Sequence, residues 1–289
     1  MKKGTIIKII SNQYDVLSEA GDRISCVAMG KLRKSRSPVV GDHVWWETIG
    51  DKNGIQKIMP RRNELKRPLI ANVDQAIIVM SSVDPDFSST LVDRLIFQIC
   101  YAGIRPLLCV TKCDLIGSDH VVWKQIEDYR SSGYEVYVSG IGYDDHDLIL
   151  ALKDKISVLT GQSGAGKSSL LNRIEPSFHL QTQEISKALG RGKHTTRHCE
   201  LWKVKEGWVA DTPGFSSLDF STMDMQKLAE CIPDFKPYQG QCKFRDCIHR
   251  NEPDCAVSQA VDEKRIVKSR YMHYLDILDM IEQTKTKYR

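Results

Sequence analysis

The 289-residue sequence has no uncharged apolar run approaching the ~18 residues that a membrane-spanning helix needs. Its first residues, Met1-Lys2-Lys3-Gly4, lack the apolar stretch and small-residue cleavage site of a signal peptide. Internal repeats and low-complexity tracts are missing as well. With 41% apolar and 27% charged residues, the composition gives no support to wholesale disorder. These absences disfavour a secreted, membrane-embedded or fibrous protein and leave the cytoplasm as the expected compartment. Nine cysteines are present, and in a reducing compartment a local cluster of them suggests metal before disulfide.

The net charge of +4 conceals an asymmetry. Residues 1–67 carry 14 Lys/Arg against 7 Asp/Glu, residues 68–222 carry 15 against 19, and residues 223–289 carry 12 against 11. The positive excess lies at the N-terminal end, where a polyanionic partner is expected. The same region reads as five short strands: Gly4 to Ile10, Tyr14 to Leu17, Arg23 to Met29, Val39 to Glu47 and Gly54 to Met59. Asn12, Gly21-Asp22, Pro38, Gly41-Asp42 and Asn53-Gly54 punctuate them. Five short strands in so few residues suit a small closed barrel, for which the nucleic-acid-binding OB-fold is the usual form. Lys31 to Ser37 adds four cations in seven residues. A solvated loop would have the same composition, but the basic barrel around it favours RNA binding.

From residue 74 strands and helices alternate. Strands are expected at Gln75 to Met80, Arg105 to Val110, Tyr134 to Val138 and Lys155 to Thr160. Helical spacing appears at Ser89 to Tyr101, Asp119 to Arg130 and Asp144 to Leu152. Near-continuous apolar strands alternating with helices imply a parallel sheet covered on both faces. Leu201 to Val204 and Trp208 to Ala210 add two more strands. Beyond residue 222 the sequence reads as helices over Met223 to Cys231 and Asp262 to Thr284, around an irregular middle rich in Pro, Cys and Asp.

Gly161-Gln162-Ser163-Gly164-Ala165-Gly166-Lys167-Ser168 fits the phosphate-binding pattern G-x-x-x-x-G-K-[ST], with Ser169 opening the following helix. It follows a strand and precedes a helix, as the pattern requires. Its glycines let backbone N–H groups turn toward phosphates; Lys167 is placed for the β and γ phosphates and Ser168 for Mg²⁺. This loop alone does not separate ATP from GTP. Thr111-Lys112-Cys113-Asp114, at the end of the strand Arg105 to Val110, resembles the Asn-Lys-x-Asp element of GTPases. Asp114 there would accept two hydrogen bonds from guanine that adenine cannot offer. Thr111 in place of Asn shortens the side chain and reduces its contacts to loop and base. Ser139-Gly140 resembles the further guanine loop, and Asp211-Thr212-Pro213-Gly214 the Asp-x-x-Gly element. Asp211 would contact Mg²⁺ through water, and the Gly214 N–H would sense the γ-phosphate. A plain Pro-Gly turn is the alternative there. Gly190 to Arg197 reads as a first switch loop, with Thr195 or Thr196 as a further Mg²⁺ ligand.

The order of these elements is unusual: Asp114 precedes Gly161 by 47 residues, and Asp211 comes last. A circular permutation produces this order. The sequence resembles the circularly permuted GTPases and, among them, the ribosome small-subunit-dependent GTPase A family, over essentially its whole length. The resemblance implies an α/β protein in three parts. They are an N-terminal OB-fold β-barrel that binds RNA (1–67), a central circularly permuted P-loop GTPase domain (68–222) and a C-terminal helical zinc-binding domain (223–289). It implies GTP hydrolysis, with GTP or GDP and Mg²⁺ bound, coupled to late maturation of the small ribosomal subunit. The partners would be that subunit and its rRNA, with no membrane and a monomeric chain.

Phe215 stands where Ras-type enzymes place a water-orienting Gln, so intrinsic turnover is expected to be slow. His194, in the first switch loop, is the local candidate for orienting water, although it could equally be exposed or contact RNA. Cys242-x4-Cys247-x-His249-x5-Cys255 places four soft ligands within 14 residues, a Cys₃His set suited to one closed, structural Zn²⁺. The spacing departs from C-x-x-C, and the family resemblance includes it. The scattered Cys26, Cys100, Cys109, Cys113, Cys199 and Cys231 read as packing residues, with the Cys113 thiol partly exposed. Two other function classes remain open at this level: an RNA-binding module whose P-loop only senses nucleotide, and a P-loop ATPase or small-molecule kinase.

Overall fold

The computed structural model describes residues 1–29, 32, 37–66, 69–178, 200–210 and 218–287. The chain begins with β1 (Lys2–Ile10), β2 (Gln13–Ser18), β3 (Arg23–Ala28), β4 (His43–Ile49) and β5 (Lys52–Ile58). Then come β6 (Glu64–Lys66), β7 (Leu69–Ala71), β8 (Gln75–Ser81), α1 (Ser89–Tyr101), β9 (Arg105–Thr111), α2 (Val121–Ser131), β10 (Val136–Val138) and α3 (His146–Leu152). β11 (Ile156–Gly161), α4 (Lys167–Ile174), β12 (Leu201–Val204) and β13 (Gly207–Ala210) precede α5 (Met225–Cys231), α6 (Ala256–Asp262) and α7 (Lys268–Lys287). These elements form two compact units. One comprises residues 1–76, 146–160 and 167–214; the other comprises 77–145, 161–166 and 215–289.

In the first unit, β1 to β5 close a barrel in the order β1-β2-β3-β5-β4. All its pairs are antiparallel except β3 with β5. Alternation puts Ile6, Tyr14, Val16, Cys26, Val44, Trp46 and Ile55 into one core, while a register shift between Ile6 and Lys8 leaves Ile7 buried as well. Gly4 is required by closure, since a Cβ there would lie 2.4 Å from Val16 Cγ1. The strand expected from Val39 starts only at His43. Gly41, at φ +85°, turns the chain where a Cβ would strike the Ala71 carbonyl at 2.0 Å. Asp42, fully buried, fixes that turn by accepting from Val39 N (2.8 Å) and from Arg61 (2.6 and 2.7 Å). The β6–β7 hairpin, unforeseen in the sequence, lies across residue 67. The same unit holds β11, β13 and β12 in that order, β11 and β13 parallel and β13 and β12 antiparallel.

In the second unit, β9 lies between β10 and β8. Every residue of β8 is buried, as expected of a strand covered on both faces. Ser88 caps α1 by accepting from Leu91 N at 3.3 Å. The helix expected from Asp262 begins only at Lys268, and a further helix, α6, occupies part of the stretch expected to be irregular. α6 ends at Asp262, Lys264 takes a left-handed φ of +60°, and Arg265 N and Ile266 N both return to the Ala260 carbonyl. That is a helix stop of the Schellman kind, with buried Ile266 as its apolar contact. Among the described residues no helix is long and apolar enough to cross a membrane.

Candidate nucleotide site and metal centre

β11 delivers the chain to Gly161, whose φ of +124° is closed to L side chains and whose Cβ would fall 1.9 Å from the Val79 carbonyl. Gly164 and Gly166 also take positive φ, so the loop curls with its backbone outward-facing and Ala165 buried beneath it. Lys167 and Ser168 follow directly as the first residues of α4. Burial lowers the Lys167 pKa. The Ser168 side chain is buried, and Gln162, Ser163 and Ser169 stand around the loop with some or full exposure.

Thr111, at the end of β9, reaches this loop. Its Oγ1 lies 2.6 Å from the Ala165 carbonyl and 3.2 Å from the Met80 carbonyl. A Cβ on Gly166 would sit 3.6 Å from the same hydroxyl. The short side chain thus keeps a hydrogen bond to the loop. Lys112 adopts a left-handed φ of +58°, and its carbonyl accepts from Ser82 Oγ at 2.8 Å while its ammonium donates to the Asp84 carbonyl. That twist turns Asp114 out to solvent and Cys113 inward. Cys113 is only 1% exposed, its thiol directed at the Val110 carbonyl and its pKa raised by burial. This corrects the expectation of a partly exposed thiol.

The Ser139-Gly140 segment lies against Asp114. Cys113 N donates to the Ser139 carbonyl at 3.1 Å, and a Cβ on Gly140 would lie 2.3 Å from Asp114 Oδ1. Ser139 Oγ bonds Asp145 Oδ1 at 2.6 Å, which locks the segment from behind. Thr111, Lys112, Asp114, Ser139, Gly140 and the Gly161–Gly166 loop are thus brought together within one unit. The supporting Ser82, Asp84 and Asp145 were not foreseen; two act on or through backbone carbonyls, which leave no side-chain signature. His194, Thr195, Thr196, Asp211, Gly214 and Phe215 lie outside the described residues.

The four expected metal ligands converge. Ligand atoms of Cys242, Cys247, His249 and Cys255 lie within 4.8 Å of one another. His249 Nδ1 is 3.6, 3.4 and 3.5 Å from the three sulfurs, and the Cys242 and Cys255 sulfurs are 4.0 Å apart. Bonds of ~2.3 Å to sulfur and ~2.0 Å to nitrogen at tetrahedral angles require N···S near ~3.5 Å and S···S near ~3.8 Å. The cluster fits zinc dimensions. Glu252, not foreseen, accepts from the backbone N–H of Ile248, Arg250 and Asn251 at 2.8, 2.7 and 3.0 Å. Burial opposes its charge, but these donors hold its pKa below the usual carboxylate value. Tyr271 and Tyr274 of α7 donate to the His249 and Ile248 carbonyls at 2.7 and 2.6 Å.

Comparison with known proteins agrees with this architecture. The RsgA N-terminal domain family matches residues 3–55, and the RsgA GTPase family matches residues 58–221. The small ribosomal subunit biogenesis GTPase RsgA of Bacillus subtilis (strain 168) is 45% identical over 298 residues, covering 100% of both chains. RsgA 2 of Oceanobacillus iheyensis is also 45% identical with full coverage of both. Among solved structures, the circularly permuted GTPase YloQ superposes with a TM-score of 0.84 at 39% identity, covering 98% of this chain and 96% of that one. YjeQ from Thermotoga maritima gives 0.83 at 32% identity, covering 97% and 98%. The chain belongs to the RsgA GTPase family.

Proposed function

We propose that this chain hydrolyses GTP in the cytoplasm, as a monomer, on the small ribosomal subunit, and assists that subunit's late maturation through rRNA contacts. The observation that carries the reading is the Thr111 hydroxyl at 2.6 Å from the Ala165 carbonyl, which ties the guanine element to the phosphate loop in permuted order. The full-length relatives named for small-subunit biogenesis support the choice of partner.

In this reading Gly161 to Ser169 surround the phosphates, with Lys167 on the β and γ groups. Exposed Asp114 accepts from guanine N1–H and the exocyclic amine, while Thr111, Lys112, Cys113, Ser139 and Gly140 hold the base loop in place. Ser168, Thr195 or Thr196, and Asp211 through water would hold Mg²⁺, which supplies charge neutralisation at the transferring phosphoryl group. Gly214 reads the γ-phosphate, and His194 orients the attacking water because Phe215 cannot. Cys242, Cys247, His249 and Cys255 would hold one structural Zn²⁺, for which their spacing is suited.

The test is GTP hydrolysis alone and with small ribosomal subunits, with ATP and large subunits as controls. Stimulation by small subunits only is expected; hydrolysis indifferent to both subunits would refute the ribosomal reading. His194→Ala is expected to abolish the stimulated turnover and spare GTP binding, measured with a fluorescent analogue. Undiminished stimulation would remove His194 from the mechanism.

A further inference from the structure

The barrel's outer surface is chemically uneven. On β2 and β3 the one outward cation, Arg23, is engaged by Asp15 at 2.6 Å and by Glu200 at 3.5 Å, and no aromatic ring faces out. On β1, β4 and β5 the pattern differs. Lys3 lies directly opposite Trp45, and Trp45 directly opposite Lys57. Residues paired in this way share one face, so the three form a row across three strands. Trp45 is half-buried with its neighbour Trp46 turned into the core, and the register shifts between the two. A bulge of this kind re-aims a side chain and is common beside functional sites. Lys3 Nζ already lies 5.2 Å from the Trp45 ring centroid. Glu47 is the only carboxylate among the residues of these three strands, against Lys2, Lys3, Lys52 and Lys57, while Lys8 is engaged by Glu200 at 2.6 Å.

We propose that this β1-β4-β5 face is a single-stranded RNA subsite, in which a base stacks on Trp45 while Lys3 and Lys57 contact the flanking phosphates. The inference rests on the rRNA reading above and adds the face and the residues. It lies away from the β2–β3 surface that OB-folds commonly use for oligonucleotides. An indole between two ammonium groups matches a base between two phosphates, and base–aromatic stacking outweighs an exposed cation–π contact, so Lys3 can yield its place to the base.

The full-length protein carrying Trp45→p-benzoylphenylalanine, bound to small subunits with a non-hydrolysable GTP analogue, should photocrosslink to rRNA. Lys3→Gln with Lys57→Gln should lower the slope of log affinity against log salt by about 1.4, at ~0.7 for each single-strand phosphate contact. Trp45→Ala should weaken subunit binding about tenfold, with Trp45→Phe close to wild type, since any aromatic face stacks. Arg23→Gln should change neither slope nor affinity. Crosslinks to ribosomal protein alone, no crosslink from a chain that still sediments with subunits, or an unchanged salt slope would each overturn the subsite and leave the rRNA reading standing. A wild-type chain that fails to bind small subunits would overturn both.

Discussion

Thr111 shows how a single atom can replace a longer side chain. Its hydroxyl carries one proton and lies between two carbonyls, with the Ala165 oxygen nearer by 0.6 Å. Thr111→Val keeps the shape and removes the donor, leaving a buried carbonyl unmatched at a cost of about 1–3 kcal/mol. GTP and GDP affinity should both fall by roughly tenfold, with Thr111→Ser near wild type, measured by fluorescent-nucleotide titration. In the proposed reading Asp114 contacts the base itself. Asp114→Asn should lose GTP affinity by at least about a hundredfold and gain xanthine nucleotide, whose C2 oxygen the amide can donate to. An unaltered preference for GTP would remove Asp114 from the base pocket. That motif residues such as these come together was legible in their type and spacing. Ser82 and Asp145 were not, because they support other residues and any polar group of the right reach would serve.

At the scale of elements, α1, α2 and α7 are joined by a buried charge network. Arg270 bonds Asp93 at 3.2 Å and also Asp234, its guanidinium stacked 4.5 and 4.9 Å from the Tyr129 and Tyr134 rings. Tyr129 and His273 donate to or share protons with Asp93 at 2.7 and 2.6 Å. Arg270 and Asp93 are at most 3% exposed. Arg270→Met should destabilise the second unit by about 3–5 kcal/mol, because two carboxylates lose their cation inside the protein. Adding Asp93→Asn and Asp234→Asn should recover part of that loss; urea unfolding measures both. The strand and helix pattern around this network was readable from apolar periodicity, including the sheet strands and α1. The existence of α6 and the start of α7 at Lys268 rather than Asp262 were not, since Lys264 gives no signal of the left-handed turn that separates them. The late start of β4 was missed for a related reason: Val39 and Val40 look like strand but are buried in a turn held by Asp42.

For the whole molecule, the Cys₃His cluster and α7 are one piece. The Tyr271 and Tyr274 hydroxyls bond carbonyls of the ligand loop, so the helix supports the very segment that presents His249. A chelator with a thiol-specific reagent should release about one zinc per chain. Protease cleavage should then appear between Cys242 and Cys255, while intrinsic GTP hydrolysis persists and small-subunit stimulation falls. Zinc content by atomic absorption and gel mapping check this; a chain that holds no zinc before treatment would refute the assignment. Charge is also distributed at this scale, with the basic excess concentrated in residues 1–67.

The barrel and the second unit differ in how they are threaded, and this has a consequence for time. The barrel uses residues 2–58 without interruption, whereas the second unit needs residues 77–145 and then 215–289. During synthesis the barrel can close soon after it emerges. The second unit must wait about 144 residues, roughly 7–30 s at typical translation rates, before α7 arrives to cover α1 and neutralise Asp93. Through that interval residues 77–145 are a nascent segment with an open apolar helix face and an acid, Asp93, that still lacks its arginine partner, the kind of surface that chaperones hold. The second unit can thus complete its fold only after residues 215–289 have emerged.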